Sequence, residues 1–242
     1  MFHRRTIRSI YLIWVIYLKM FVKIIIVISL ILGATCNDTK AEGDPEVVDR
    51  PILITPHRID LIREYSSIHY GGVIENIIPG AIVVHWTASN SCESTYDYFY
   101  PEETRDEEMR SCGKLNVASH YLVDRDGTIY QLTPDNLLNR HAIGLNWCAI
   151  GIENVGGVND KEDLTDEQLA ANEIIIRHLI KKYPTIKYVF GHYQQEYAKT
   201  VGIWRENIPD YFAEKPDPGP VFMSKVYFAI RDLPIVGFPV SY

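Results

Sequence analysis

The chain has no basic run, no internal repeat and no low-complexity segment in its 242 residues. Five of its 24 Lys and Arg lie in the first 36 residues, so the remainder carries 19 basic against 31 acidic side chains, a formal charge of −12. Nucleic-acid binding depends on neutralising phosphates, so this balance argues against a nucleic-acid partner. The length and the 47% content of hydrophobic residues predict one sizeable core.

The N-terminus lacks acidic residues as far as residue 36, and the apolar run at residues 24–35 is about twelve residues long. That length is too short to span a bilayer comfortably, but it suits the apolar segment of a secretory signal. An earlier apolar stretch, residues 10–18, ends at Lys19, and Met20 is an alternative start. We therefore expect residues 1–36 to be a signal peptide. One uncleaved membrane anchor built from both stretches is the alternative.

Cys36 ends the apolar run, precedes polar residues and resembles the lipid-modified cysteine of bacterial lipoproteins. Acyl chains there would attach the protein to a membrane, and we expect no membrane contact beyond the signal or this anchor. Residues 37–50 are polar and charged and are predicted to be a flexible tether, with the globular domain over residues 51–242. The protein is expected to be exported to the periplasm and to be a monomer.

Three cysteines follow the N-terminal segment. Cys92 and Cys112 flank a polar, acidic stretch that is predicted to be a surface insertion. In an oxidising compartment the two thiols could close this stretch as a disulfide, although sequence alone does not fix the pairing. Cys148 lies in an apolar stretch and is predicted to be a buried free thiol.

Apolar β-type runs alternate with helix signals along the rest of the chain. A helix is predicted after Thr165, because Thr165 and Gln168 have the spacing of a capping box. A second helix is predicted over residues 220–231. Strands are predicted at residues 80–85, 149–153 and 186–191, and a hairpin at residues 119–132 around Asp126-Gly127. The pattern indicates an α/β fold: a single domain with a central mixed β-sheet flanked by helices.

Two histidines end predicted strands, where their side chains would emerge from the sheet into a cleft. These are His85 and His192, and a third polar group, Asp217, lies in the rigid segment Lys-Pro-Asp-Pro-Gly-Pro at residues 215–220. Either histidine alone would more often be structural. Two imidazoles and one carboxylate from separated segments are a usual ligand set for catalytic zinc, with a fourth position left for water.

Five blocks of sequence, in order, resemble the type 2 N-acetylmuramoyl-L-alanine amidases. This family shares its fold with phage lysozyme-type amidases and animal peptidoglycan-recognition proteins. The resemblance extends over residues 79–222 and implies that His85, His192 and Asp217 bind zinc, that Glu153 is the catalytic acid/base and that Lys215 faces the scissile carbonyl oxygen. The blocks are Ile82-Val-Val-His-Trp-Thr-Ala-Ser89, residues 117–128, residues 140–153, Phe190-Gly-His192 and residues 215–220.

Further residues fall within the resembling blocks. His141 and Asn146 are expected to contact substrate, and Trp86 is expected either to wall the cleft beside the metal or to pack in the core. His120 is expected to be structural or to support the residues of the site from behind, rather than to be catalytic. The acidic insertion between Cys92 and Cys112 follows the first ligand directly and would either shape the rim of the cleft or decorate the surface.

The resemblance implies hydrolysis of the amide between N-acetylmuramic acid and L-alanine in peptidoglycan or its muropeptide fragments, in cell-wall turnover or recycling. One alternative is a recognition domain that binds peptidoglycan without cutting it, although the complete set of ligands and Glu153 disfavours this. The other is a zinc amidase that cuts a different peptidoglycan amide, such as an antibacterial toxin. Pocket shape, rather than the metal ligands, sets which bond is reached.

Overall fold

A six-stranded mixed sheet runs through residues 44–237, which are the residues that the computed structural model describes. The chain divides into two units, residues 1–42 and 43–242, and the described residues belong to the second. The predicted signal peptide and the Cys36 lipidation site lie outside the described residues. None of the helices in residues 44–237 is long and apolar enough to cross a membrane.

The strands lie in the order β1-β4-β3-β5-β2-β6, and only the β3–β4 hairpin is antiparallel. All six residues of β2 are buried, as expected for a β-branched run in the interior of a largely parallel sheet. The predicted mixed sheet is therefore confirmed. The strands are Val47–Asp49 (β1), Ala81–Trp86 (β2), Tyr121–Val123 (β3), Ile129–Gln131 (β4), Ala149–Asn154 (β5) and Tyr188–Gly191 (β6).

Helices pack around this sheet and bury the main apolar core against it. Two short 3-10 turns, Val158–Asp160 and His192–Gln194, follow β5 and β6. The helix predicted over residues 220–231 is confirmed with a slightly earlier end. The helices are Pro56–Tyr70 (α1), Cys92–Phe99 (α2), Glu107–Ser111 (α3), Asp166–Lys182 (α4), Tyr197–Thr200 (α5) and Pro220–Ala229 (α6).

Helix α4 begins with the predicted capping box. The Thr165 hydroxyl accepts from the Gln168 amide at 3.1 Å, and the Gln168 side-chain oxygen accepts from the Thr165 amide at 3.0 Å. The other end of the Gln168 side chain donates to the carbonyls of Val123 and Val155, at 3.2 and 2.9 Å. The cap therefore limits fraying at the N-terminus of α4. It also joins the first turn of this helix to the ends of β3 and β5.

The N-terminal boundary of the domain lies earlier than the sequence predicts. Residues 47–49 form β1, which pairs with β4 in parallel, so the predicted tether over residues 37–50 is wrong for these residues. Helix α1 was also not predicted, although Thr55 caps it and Pro56 opens it. One reason is that the buried face of α1 carries Arg58, whose Nη2 donates to the carbonyls at the end of α2, those of Phe99, Tyr100 and Pro101.

The predicted disulfide between Cys92 and Cys112 is wrong, because both thiols are free. Cys92 points from the first turn of α2 into an apolar cluster, and burial raises the pKa of its thiol to about 11. Cys112 instead ends α3, and its backbone carbonyl accepts from His69. Cys148 is a buried free thiol, as predicted.

The two residues of the capping box should contribute different amounts to the stability of the fold. We expect Thr165→Ala to lower the free energy of unfolding by about 1 kcal/mol, the usual cost of losing a cap. Gln168→Ala should cost about 2 to 3 kcal/mol, because a buried side chain loses its bonds to Val123 and Val155 as well. Chemical denaturation measures both. Glu167→Ala, an exposed change in the same turn, is the control and should stay within about 0.5 kcal/mol of the parent.

Candidate active site

The sheet brings the predicted ligands together at the carboxyl ends of adjacent parallel strands. His85 is the fifth residue of β2, and His192 directly follows β6, which is its parallel neighbour. On the other side of β2, Glu153 of β5 lies in register with His85. The carboxyl ends of parallel strands are where α/β sheets usually hold ligands, because the loops there leave a crevice.

Asp217 reaches this edge from the loop before α6. Its backbone carbonyl accepts from the amide of Tyr193 at 2.8 Å, which ties the loop to the turn that carries His192. Gly219 permits the loop to close, since it has φ = 85° and a Cβ there would lie 2.3 Å from the Glu162 carboxyl carbon. The Asp217 side chain is thereby held over the sheet edge and buried.

Three ligand-type atoms meet at nearly equal distances. His85 Nδ1 lies 3.0 Å from His192 Nδ1 and 3.1 Å from Asp217 Oδ2, and the last two atoms are 3.0 Å apart. All three residues are buried, and within residues 44–237 they form the one cluster of His, Cys, Asp or Glu with this proximity. The sequence prediction that these residues lie together is confirmed.

The ring next to His85 sets its protonation. His141 Nε2 lies 3.1 Å from the Ala149 carbonyl, which can only accept, so we infer that this nitrogen carries the proton of His141. His141 Nδ1 must then accept from His85 Nε2, 3.1 Å away. The lone pair of His85 Nδ1 is consequently directed at His192 and Asp217.

The charges fit a cation between these atoms. Burial, followed by the electrostatic effect of the neighbouring His192, lowers the pKa of His85 to about 4, so the His85 ring is neutral at neutral pH. Although burial opposes ionisation of Asp217, the neighbouring His192 and His85 hold its pKa below the usual value. Neutral imidazoles and an ionised carboxylate are the states in which these side chains bind zinc, so the residues could hold that metal.

Glu153 adds a carboxyl group without a fixed partner. Its Oε2 is buried and accepts no hydrogen bond from the described residues. Burial first, and then the charge of Asp217, raises the pKa of Glu153 well above its ordinary value, while Lys215 acts in the opposite direction. A buried carboxyl with a raised pKa beside a ligand cluster is well suited to taking up and releasing a proton.

A cleft of about 520 Å³ opens over these groups. One wall comes from the acidic insertion, which is folded into α2 and α3 and therefore shapes the rim. Arg140 supports this wall from below by donating to the carbonyls of Met109, Gly113 and Leu115, at 2.9 to 3.0 Å. The insertion contributes Ser94, Thr95, Tyr98, Phe99 and Met109 to the lining. Tyr98 and Met109 were missed, because no motif distinguishes them within the insertion.

Trp86 and Lys215 both line the cleft. Trp86 is only 7% exposed, and its ring lies so close to Gly157 that a Cβ on Gly157 would be 2.2 Å from it. Trp86 therefore both packs in the core and forms a wall of the cleft. Lys215 is exposed and makes no hydrogen bond or ion pair within the described part of the chain. Its ammonium group is therefore available to the contents of the cleft.

Two of the expected substrate contacts have other tasks. Asn146 is 1% exposed and does not line the cleft; its oxygen accepts from the amides of His141 and Ala142, and its nitrogen donates to Tyr65. The prediction that it contacts substrate is wrong, because it fixes the loop that carries His141. His141 lines the cleft, but both of its ring nitrogens are engaged.

His120 is structural, as predicted. Its ring lies in the buried interior, where Nε2 donates to the Leu137 carbonyl at 2.9 Å. Nδ1 accepts from the amide of Gly151 at 3.0 Å. The ring thus links β5 to the loop after β4 and leaves no nitrogen for substrate or metal.

A family model described as N-acetylmuramoyl-L-alanine amidase matches residues 76–220. This range includes the three residues of the ligand cluster as well as Glu153 and Lys215. Peptidoglycan recognition protein 3 of Mus musculus is 29% identical over 113 residues, which cover 46% of this chain and 32% of the mouse protein. The endolysin of Escherichia phage T7 is 32% identical over 75 residues, which cover 29% of this chain and 50% of the endolysin. The matches thus span from a third to half of the length of these relatives.

Among solved structures, N-acetylmuramoyl-L-alanine amidase LysC from Clostridium intestinale URNW is similar, with 23% identity and a TM-score of 0.48. The alignment covers 77% of this chain and 98% of that one. PGRP-SA of Apis mellifera is similar with 19% identity and a TM-score of 0.47, over 81% of this chain and 100% of that one.

Zinc binding should depend on the His141 ring, which contacts His85, as well as on the three residues of the ligand cluster. We expect the purified chain to bind zinc and Asp217→Ala to abolish tight binding. His141→Phe should weaken binding roughly 10- to 100-fold, because His85 loses the acceptor that fixes its tautomer. Competition titration against a chromogenic chelator measures the affinity. His178→Phe, a change on the outer side of α4, is the control, and an unchanged affinity in His141→Phe would refute the tautomer assignment.

Proposed function

Since the chain belongs to the N-acetylmuramoyl-L-alanine amidase family, we propose that it hydrolyses the amide bond between N-acetylmuramic acid and L-alanine in peptidoglycan or its muropeptide fragments. The observation that carries this proposal is the meeting of His85 Nδ1, His192 Nδ1 and Asp217 Oδ2 at 3.0 to 3.1 Å beneath an open cleft. The intact cluster favours catalysis over recognition alone.

His85, His192 and Asp217 would hold a zinc ion, which supplies Lewis-acid polarisation of a carbonyl and a water that is nucleophilic at neutral pH. The protein contributes the arrangement of these ligands. His141 keeps His85 in the tautomer whose Nδ1 is free, and the loop bond from Tyr193 to the Asp217 carbonyl keeps the carboxylate at the sheet edge.

Glu153 is proposed as the group that moves the proton. Its register with His85 puts it beside the ligand cluster, and its buried carboxyl has no competing partner within the described residues. The carboxylate would take a proton from the attacking water and deliver it to the amide nitrogen as the carbon–nitrogen bond breaks. The products are the lactyl carboxylic acid of the sugar and a peptide with a free L-alanine amine.

Lys215 is proposed to stabilise the negative charge that develops on the carbonyl oxygen. Lys215 lies in the same rigid loop as Asp217, so its backbone position relative to the ligand cluster is fixed. Because its ammonium group is not engaged by a carboxylate in residues 44–237, its charge is available to an oxyanion in the cleft.

Export to the periplasm, with residues 1–36 as a signal and Cys36 as a lipid anchor, is part of the proposal. It rests on the sequence of the N-terminal segment. An enzyme of this specificity needs access to the cell-wall polymer, and a periplasmic enzyme tethered to a membrane by acyl chains would have it. The role that follows is turnover of the wall or recycling of its fragments.

The activity can be tested with the purified full chain, intact peptidoglycan and a muramyl-peptide, with products identified by mass spectrometry. We expect release of stem peptides that begin with L-alanine, loss of activity with a chelator and recovery with added zinc. Cleavage of another amide would instead favour a different specificity, such as that of an antibacterial toxin. Binding without product by the zinc-loaded protein would favour a recognition domain.

Two substitutions separate the proposed chemical roles from metal binding. We expect Glu153→Gln to lower kcat roughly 10²- to 10⁴-fold at an unchanged zinc content, because an amide cannot exchange the proton. Lys215→Met should lower kcat roughly 10²- to 10³-fold. Lys181→Met is the control, since Lys181 is an exposed lysine that lines neither the cleft nor its neighbouring pocket. Activity within a few-fold of the parent in Glu153→Gln would contradict the assigned role.

A further inference from the structure

A second pocket, of about 470 Å³, adjoins the cleft and shares Trp86 and Lys215 with it. We call it the acidic pocket. Its lining combines carboxylates with aromatic rings, and the members that matter here are Asp160, Glu162, Glu196, Glu214, Trp86, Tyr193 and Phe212. The proposed amidase chemistry uses none of the four acidic residues.

Two of the four carboxylates are already engaged. Glu162 accepts from the amides of Val221 and Phe222 at the start of α6, and Glu196 pairs with Lys199 at 3.1 Å. The side chains of Asp160 and Glu214 have no hydrogen bond or ion pair within residues 44–237. Since Lys215 is the one basic residue in the lining, the pocket has an excess of negative charge.

An amide group in the same lining lacks a donor. Gln195 is 1% exposed, and its nitrogen donates to the carbonyl of Ala213 at 2.6 Å. Its oxygen, Oε1, is buried and has no partner among the described residues. An unpaired buried acceptor is costly, and a hydrogen-bond donor that enters the pocket would remove this cost. Gln195 therefore points to an occupant that donates, independently of the carboxylates.

Negative charge, an unpaired acceptor and aromatic walls together fit an organic cation. The four carboxylates are too dispersed for a metal site, because no three of them belong to a cluster of metal-ligand proximity in the described part of the chain. Aromatic faces also attract alkylammonium groups, whereas they supply no ligand to a metal ion.

We propose that the acidic pocket binds a primary ammonium group of the peptidoglycan substrate while the scissile amide lies in the neighbouring cleft. This inference rests on the proposed function. The ammonium group has two possible sources in such a polymer: the side chain of a basic residue in the stem peptide, or an amino sugar that has lost its acetyl group. Both present three donors and one positive charge, which the uncommitted carboxylates and Gln195 would accept.

Matched substrates test the proposal with the zinc-loaded full chain. One pair is a disaccharide-peptide with a free lysine amine and its Nε-acetylated form; the other is the same glycan with and without the acetyl group on glucosamine. Calorimetry gives Kd without requiring turnover, and kinetics give KM. We expect the free amine of one pair to bind roughly three- to tenfold more tightly than its acetylated form, and that pair identifies the source. Equal affinities within both pairs would overturn the proposal.

Substitutions locate the preference within the protein. Glu214→Gln and Gln195→Leu should reduce the ratio of Kd between acetylated and free amine to about one, whereas Glu64→Gln on the exposed face of α1 should leave the ratio unchanged. Glu214 is exposed, so its variant keeps the test valid even if Gln195→Leu folds poorly. A preference that survives in Glu214→Gln, or that millimolar calcium abolishes while methylammonium does not, would also overturn the proposal.

The same data separate this inference from the proposed function. Amine-dependent binding without cleavage of any substrate would contradict the amidase activity and support the acidic pocket. Cleavage at the L-alanine amide without an amine preference would support the activity and contradict the pocket.

Discussion

Two imidazole nitrogens and one carboxylate oxygen lie within 3.0 to 3.1 Å of one another in a buried position, and the rest of the site depends on this contact. Lone pairs so close repel unless positive charge lies among them, and burial increases that repulsion. The parallel order of β5, β2 and β6, the bond from Tyr193 to the Asp217 loop and the ring of His141 all act to maintain the contact. The fold holds together groups that would otherwise separate.

The sequence predicts those parts of the structure whose causes are local. The strand that ends near His85 is a β-branched run. The start of α4 is encoded by a capping box whose two residues, Thr165 and Gln168, are only three positions apart. The hairpin follows from Asp126-Gly127 for the same reason. The ligand cluster was predictable only because the strand ends and a rigid Pro-rich loop mark each ligand separately and a family resemblance joins them.

The parts that could not be predicted depend on contacts between distant segments. Helix α1 is stabilised through Arg58, whose acceptors are the carbonyls of residues 99–101, so its buried face does not look apolar in the sequence. The spacing of Cys92 and Cys112 carries no information on whether their side chains face each other. Asn146 belongs to a motif, but the motif does not reveal that its amide faces Tyr65 instead of the cleft.

The cleft wall formed by α2 and α3 is held by two arginine side chains that belong to other segments of the chain. The side chains of Arg58 and Arg140 bind it through backbone carbonyls near the ends of the two helices, where a guanidinium also suits the helix dipole. The Tyr98 and Met109 side chains, which line the cleft, take no part in these bonds and can change without breaking them. In evolutionary terms, new substrate preferences can arise by substitution at these two cleft-lining positions while the ligand cluster stays unaltered.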